Sequence, residues 1–156
     1  MDQAITLIKP IKKHTTIGWR EWVSLPALGI EKIKAKIDTG ARTSALHAFS
    51  LRPFIEQGKH KIHFELHPFQ RDNTAVITCV ADVVDKRIVT DSGGHREERY
   101  VIQTPITIAG QVWSIEITLT ERENMLFRML LGRSALRKRF VVNPARSFVT
   151  TRMHTK

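Results

Sequence analysis

Apolar residues recur at every second position along much of this sequence, and a period of two is met by an extended strand and not by a helix. Across residues 32–37, Ile33, Ala35 and Ile37 fall on one face while Lys32, Lys34 and Lys36 fall on the other. That stretch predicts a half-buried strand. Ile62, Phe64 and Leu66 alternate in the same way with His63, Glu65 and His67. Residues 15–23 also read as a strand, broken by Leu25-Pro26, and the β-branched run over 75–84 predicts a more buried one. Two glycine turns mark hairpins. Ser92-Gly93-Gly94 joins residues 87–91 to 96–103, and Gly110-Gln111 joins 105–109 to 112–120. One short helix is expected after Gly132, over 134–138, followed by strands near 140–142 and 147–150. Residues 54–61 read as a loop. The sum is a mainly antiparallel, closed or nearly closed β-barrel with one helix.

At 156 residues and 42% hydrophobic content, the chain can bury one core. We expect a single domain over 1–156, with its core over about 15–151 and flexible ends. Its one cysteine, Cys79, has no intramolecular partner, and Cys/His metal spacings are absent. The opening M-D-Q-A-I-T-L-I-K-P lacks an apolar leader core, and no apolar run is long enough to span a bilayer. The expected address is the cytoplasm, away from membranes. A formal net charge of +10 predicts an anionic partner: nucleic acid, ribosome, acidic membrane or acidic peptide. The only short basic run is Arg137-Lys138-Arg139, with no basic tail or aromatic nucleic-acid motif beside it. Direct RNA binding is therefore the third reading.

The strand over 33–37 delivers Asp38-Thr39-Gly40-Ala41 to a turn. Gly40 lets the backbone bend and another chain approach, Ala41 keeps the space small, and Thr39 offers a hydroxyl. Those are the needs of a carboxylate held rigidly against something else. An ordinary solvated Asx-turn meets them as well. A second piece, Met129-Leu130-Leu131-Gly132-Arg133, is an apolar strand ending in Gly-Arg just before the helical segment.

Asp-Thr-Gly-Ala, a flap-like hairpin, then apolar-apolar-Gly-Arg before a short helix occur in that order over residues 33–140. The ordered set resembles the retropepsin-like aspartic proteases. A closer resemblance covers nearly the whole sequence. Ile17-Gly-Trp-Arg-Glu-Trp-Val-Ser-Leu-Pro26, Lys34-Ala-Lys-Ile-Asp-Thr-Gly-Ala-Arg-Thr-Ser-Ala-Leu46, Leu119-Thr-Glu-Arg122 and Met129-Leu-Leu-Gly-Arg-Ser-Ala-Leu136 carry it. They resemble the bacterial family labelled ATP-dependent zinc protease, which is associated with the RimK-type glutamate ligase and includes the RimB-like proteins. The resemblance implies a closed six-stranded acid-protease barrel with one short C-terminal helix. The ligase adds glutamates to the C-terminus of a small-subunit ribosomal protein, and the associated protease is implied to process that acidic tail.

The resemblance also implies roles. Aspartic proteolysis needs two carboxylates that share one proton. This chain has one Asp-Thr-Gly, so a homodimer would supply Asp38 twice across its two-fold axis. Thr39 would hydrogen-bond across that axis, and Gly40 would present its carbonyl to substrate. Ser92, Gly93, Gly94 and His95 would form the flap, and Leu131, Gly132 and Arg133 the supporting motif. Beside Ala41 stands Arg42, where the retroviral enzymes usually have an acid. That departure removes an ion pair with Arg133 and makes the cleft better suited to carboxylates. Arg42, Arg96 and Arg99 are accordingly the candidates for glutamate recognition.

Neither half of the family's label is matched by the residues. A phosphate cradle G-x-x-x-x-G-K-[ST] is absent, as is H-E-x-x-H. The best metal candidate is the alternation of His63, Glu65 and His67 after His60, which also fits a solvated polar face. No cofactor and no metal ligand are assigned. Trp19, Trp22 and Trp113 are expected to pack in the core or an interface, and Glu21 and Glu116 to pair with arginines. Two alternatives stand beside the peptidase: a non-catalytic module that binds acidic tails or the ribosome, and the zinc-dependent peptidase of the label.

Overall fold

Ile33, Ala35 and Ile37 lie at most 8% exposed on one face of a single strand, as their spacing requires. The structure, a computed structural model, describes residues 14–153. Along the chain run β1 (Thr15–Gly18), β2 (Arg20–Leu25), β3 (Ile30–Ile37), β4 (Ser44–His47), β5 (Phe49–Glu56) and β6 (Lys59–Leu66). Then follow β7 (Ile77–Thr90), β8 (Arg96–Ile108), β9 (Gln111–Thr120), β10 (Met129–Leu131), helix α1 (Arg133–Leu136), β11 (Phe140–Asn143) and helix α2 (Val149–Met153).

Six strands close on themselves in the order β2-β3-β10-β4-β9-β8, with a β2–β8 pairing at Ser24 and Thr107 completing the ring. Leu25, Ile33, Leu46, Ile102, Ile117 and Leu131 are among the buried residues of its core. Each such side chain stabilises the fold by roughly 1.5–3 kcal/mol relative to exposure. Cys79 is buried in the same cluster, and its Sγ lies 3.4 Å from the Leu28 carbonyl. The first half of β8 pairs with β7 instead, and β7, β6 and β5 continue the sheet beyond the barrel. Ile62, Phe64 and Leu66 point inward there, at most 1% exposed. β1 and β11 form a separate parallel pair.

Several expectations need correction. Residues 54–61 are no loop: they span the hairpin of β5 and β6, turning at Gln57 and Gly58, both at positive φ (51° and 77°). Pro53 obscured the strand, and it is tolerated because β5 is the sheet edge. The stretches at 75–84 and 87–91 merge into one 14-residue β7, whose register shifts between Val83 and Asp85. Residues 147–150 are not a strand but lead into α2, so the barrel carries two short α-helices rather than one. The reason is Glu21. This fully buried carboxylate accepts from the backbone N–H of Gly18, Val149 and Thr150 and from the Thr150 hydroxyl, at 2.6–3.0 Å. It caps α2, and among the described residues it pairs with no arginine. Glu116 does pair, with Arg87 at 3.0 Å. The N-terminal stretch read for a leader lies outside the described residues. Among the described residues no helix is long and apolar enough to cross a membrane.

Candidate active site

β3 and β10 run parallel, with Lys36 beside Leu130 and Ile37 beside Leu131. Both strands end together, so the turn after β3 and the Gly-Arg after β10 meet at one end of the barrel. The Asp38 amide donates to the Leu131 carbonyl at 2.8 Å, carrying the ladder into the turn. The Gly40 amide donates to Asp38 Oδ1 at 3.1 Å and the Ala41 amide to the Asp38 carbonyl at 3.2 Å. The local Asx-turn is thus real, and it fixes the carboxylate's direction.

Gly132 is at its crowded limit. A Cβ there would stand 2.6 Å from the Thr43 carbonyl carbon and 2.8 Å from its oxygen. Beyond it the amides of Arg133 and Ser134 donate to the Ala41 and Arg42 carbonyls at 2.8 and 3.0 Å. The Arg133 guanidinium donates from Nη1 to the Thr39 carbonyl at 3.0 Å. This contact stands in for the ion pair that Arg42 removes: a backbone oxygen takes the place of the carboxylate. Leu131 and Gly132 are buried, whereas Thr39, Gly40, Arg42 and Arg133 are exposed and Asp38 and Ala41 are half-buried.

Asp38 opens on a cleft of about 1240 Å³, across from the β7–β8 hairpin. Of the sequence-derived candidates, Asp38, Gly40, Ala41, Arg42, Ser92 and Arg99 line it. Gly93, Gly94, His95 and Arg96 are exposed at or just past the hairpin tip and do not line it. Arg99 is 6% exposed and already engaged. Its Nε donates to Glu97 Oε1 at 3.1 Å and its Nη1 to the Thr118 hydroxyl at 3.3 Å. Glu97 Oε2 in turn accepts from the Thr120 hydroxyl at 3.0 Å. Arg42 forms no ion pair among the described residues.

Among the charged cleft residues, sequence reasoning missed Arg87, Asp91 and Arg122. Asp91 organises the hairpin tip. Its Oδ1 accepts from the amides of Gly93 and His95 at 2.9 Å each. Its Oδ2 lies 3.4 Å from Arg122 Nη1, which ties the hairpin to the end of β9. These contacts, led by the His95 amide, hold its carboxyl below the ordinary 3.8. An Asp before Ser-Gly-Gly is a recognisable Asx-turn signal, and Arg122 sits in the Leu-Thr-Glu-Arg motif. Arg87 pairs with Asp85 and Glu116 at 2.6 and 3.0 Å.

The histidine stripe does not form a metal centre. His63 lies against Phe54 and His67 against Phe49, with ring centroids 5.1 and 4.7 Å apart. Among the described residues no three His, Cys, Asp or Glu side chains converge as a metal site would require. Of the tryptophans expected in the core or an interface, Trp113 packs on the core against Phe140, whereas Trp19 and Trp22 are half-buried outside it, against Phe127 and Phe148.

The family model described as RimB-like, Retropepsin-like aspartic endopeptidase RimB, matches residues 16–153. A Shewanella pealeana protein named Probable alpha-L-glutamate ligase is 46% identical over 132 residues, covering 85% of this chain and 29% of that protein. A protein of the same name from Desulfotalea psychrophila is 46% identical over 129 residues, covering 83% and 28%. The chain therefore spans less than a third of the length of these relatives. A crystal structure of a Legionella pneumophila protein of unknown function superposes with a TM-score of 0.74 at 25% identity, covering 88% of this chain and 99% of that one.

Proposed function

The chain belongs to the RimB-like family of retropepsin-like aspartic endopeptidases, and from that premise we propose that it hydrolyses an acidic peptide with an aspartate dyad, Asp38 coming from each of two protomers. The observation that carries this reading is the turn after β3. It holds Asp38 rigidly at the mouth of a large cleft, beside an exposed Thr39-Gly40 that a second copy can approach.

Two such carboxylates cannot both ionise at close range, so one keeps the shared proton. The ionised acid takes a proton from a water, whose oxygen attacks the scissile carbonyl carbon. The protonated acid gives its proton to the carbonyl oxygen. Collapse of the tetrahedral intermediate breaks the C–N bond; the leaving amine takes the proton from one carboxyl while a hydroxyl of the intermediate gives its proton to the other, leaving a carboxylic acid product and a singly protonated dyad. Thr39 bonds across the two-fold axis, Gly40 presents its carbonyl to the peptide, and the hairpin around Ser92 closes over it.

The acidic substrate is supported by the net charge of +10 and by the arginines around the cleft. The relatives named as glutamate ligases support a glutamate-tailed protein as its natural form, as on a ribosomal protein modified by a RimK-type ligase in the cytoplasm. The test is cleavage of a peptide with a C-terminal oligoglutamate tail. Asp38→Asn keeps the fold and abolishes cleavage. Full activity in that variant would sink the mechanism. The match to a segment of ligase-named proteins also favours a second reading, a tail-binding module without catalysis. That module binds the tail, never cuts it, and is indifferent to Asp38→Asn.

A further inference from the structure

A second cleft, of about 660 Å³, adjoins the first, and Met125 lines both. His47, His67, Arg71 and Arg128 line it, as do Glu121 and Glu123. Arg128 is only 8% exposed. Its Nη2 donates to Asn73 Oδ1 at 2.8 Å and its Nε to the Phe69 carbonyl at 3.4 Å. Both acceptors are neutral. None of the ion pairs among the described residues includes Arg128. A guanidinium taken out of water without a counter-charge is costly, and it still has donors to spare.

His47 beside it is 4% exposed, and neither ring nitrogen has a hydrogen-bond partner. Buried polar groups in native proteins are nearly always partnered. Burial first, then the charges of Arg128 and His67, lower its pKa against a smaller opposing effect of Glu123. The ring therefore stays neutral at neutral pH and keeps one N–H to donate. In the first cleft Arg87, Arg99 and Arg122 each have a carboxylate already, and the arginine there without one, Arg42, is exposed to solvent, whereas Arg128 is buried.

We propose that this second cleft is a carboxylate subsite, in which Arg128 binds the side chain of a glutamyl residue lying beyond the segment held at Asp38, with His47 and Arg71 as further donors. The proposal rests on the acidic substrate inferred above. A carboxylate supplies both the missing charge and two acceptor oxygens in the plane a guanidinium prefers. A nucleic acid fits less well. Glu121 and Glu123, exposed at the cleft, repel a run of negative charges of either kind, so the site suits one carboxylate seated on Arg128 rather than a continuous row of phosphates. The one aromatic ring in the lining, Phe49, is already stacked on His67.

The test uses the full chain carrying Asp38→Asn, so that binding is read without cleavage. A labelled oligoglutamate peptide is titrated by fluorescence anisotropy, then repeated with one glutamate at a time replaced by glutamine. One position away from the scissile bond is expected to lose affinity by on the order of tenfold. Adding Arg128→Gln is expected to erase that discrimination while leaving the circular dichroism spectrum unchanged. Should Arg128→Gln fail to fold, the His47 imidazole resonances decide: the glutamate peptide shifts them and the all-glutamine peptide does not. The subsite is overturned if no position discriminates, if Arg128→Gln keeps the native discrimination, or if the His47 signals ignore the glutamate peptide. It is equally overturned if a generic single-stranded RNA binds more tightly than the peptide and loses that binding with Arg128→Gln. Cleavage by the unaltered protein is read in parallel. Cleavage without Arg128-dependent discrimination removes the subsite and leaves the peptidase, and discrimination without cleavage does the reverse.

Discussion

Single residues at the Asp38 turn have little freedom. Asp38, Gly40 and Ala41 are tied by the backbone bonds of an Asx-turn, and Arg133 holds the Thr39 carbonyl from the other side. Gly132 shows the same tightness sterically. Gly132→Ala forces a methyl into the Thr43 peptide, and because that neighbour is backbone rather than a movable side-chain end, it cannot give cheaply. We expect a loss of roughly 1–3 kcal/mol in a urea titration, together with a cleavage defect because the residues just after Gly132 hold the Asp38 turn through the Thr39, Ala41 and Arg42 carbonyls. A variant as stable and active as the parent would show that the β10–α1 corner has slack the structure does not suggest. Both glycines were legible as motif residues in the sequence. The partner of Arg133 was not, since Arg42 had replaced the acid that the resemblance led us to look for.

At the scale of elements, two devices depend on a single carboxylate each. Glu21 joins β2 to the start of α2 by satisfying four donors in a dry environment. Glu21→Ala leaves those donors unpaired, and we expect a loss of about 3 kcal/mol or more, read as a fall in Tm on the order of 10 °C. Asp91 does the corresponding work for the β7–β8 hairpin. Its carboxyl has a depressed pKa in the folded protein, so the stabilisation it gives is full above 3.8 and is lost as pH falls through the lower folded value. The amide resonances of Gly93 and His95 should therefore move together with acidification below that range, and Asp91→Asn should abolish the transition. Resonances that stay fixed in the parent would argue that the tip is held by its backbone alone. Period-two reading found most strands but failed at 54–61, where a proline hid an edge strand, and at 147–150. There the β-like residues are overruled by a cap 129 positions away, between Glu21 and Thr150.

For the whole molecule the decisive question is the second carboxylate. Asp38 is half-buried, with Thr39 and Gly40 exposed beside it. Sedimentation across a range of protein concentrations, with an acidic peptide present, is expected to show a dimer whose formation tracks cleavage. Activity that stays proportional to a population of monomers alone would remove the shared dyad. The net charge of +10 is a property of the same scale. The structure divides it unevenly, pairing Arg87, Arg99 and Arg122 of the first cleft internally, leaving Arg42 there exposed, and leaving the buried Arg128 of the second without an ion pair among the described residues.

The sequence by itself determined the alternation that makes strands, the glycines that make turns, and the order of the Asp38 and Gly132 motifs, because each is a matter of a few neighbouring residues and their local sterics. Only the tertiary structure decided which of the basic side chains are already neutralised, that Glu21 serves a helix cap, and that His47 and Arg128 share a second cleft. Those facts depend on pairings between residues far apart in the chain, and the energy of a buried charge is set by what surrounds it in space.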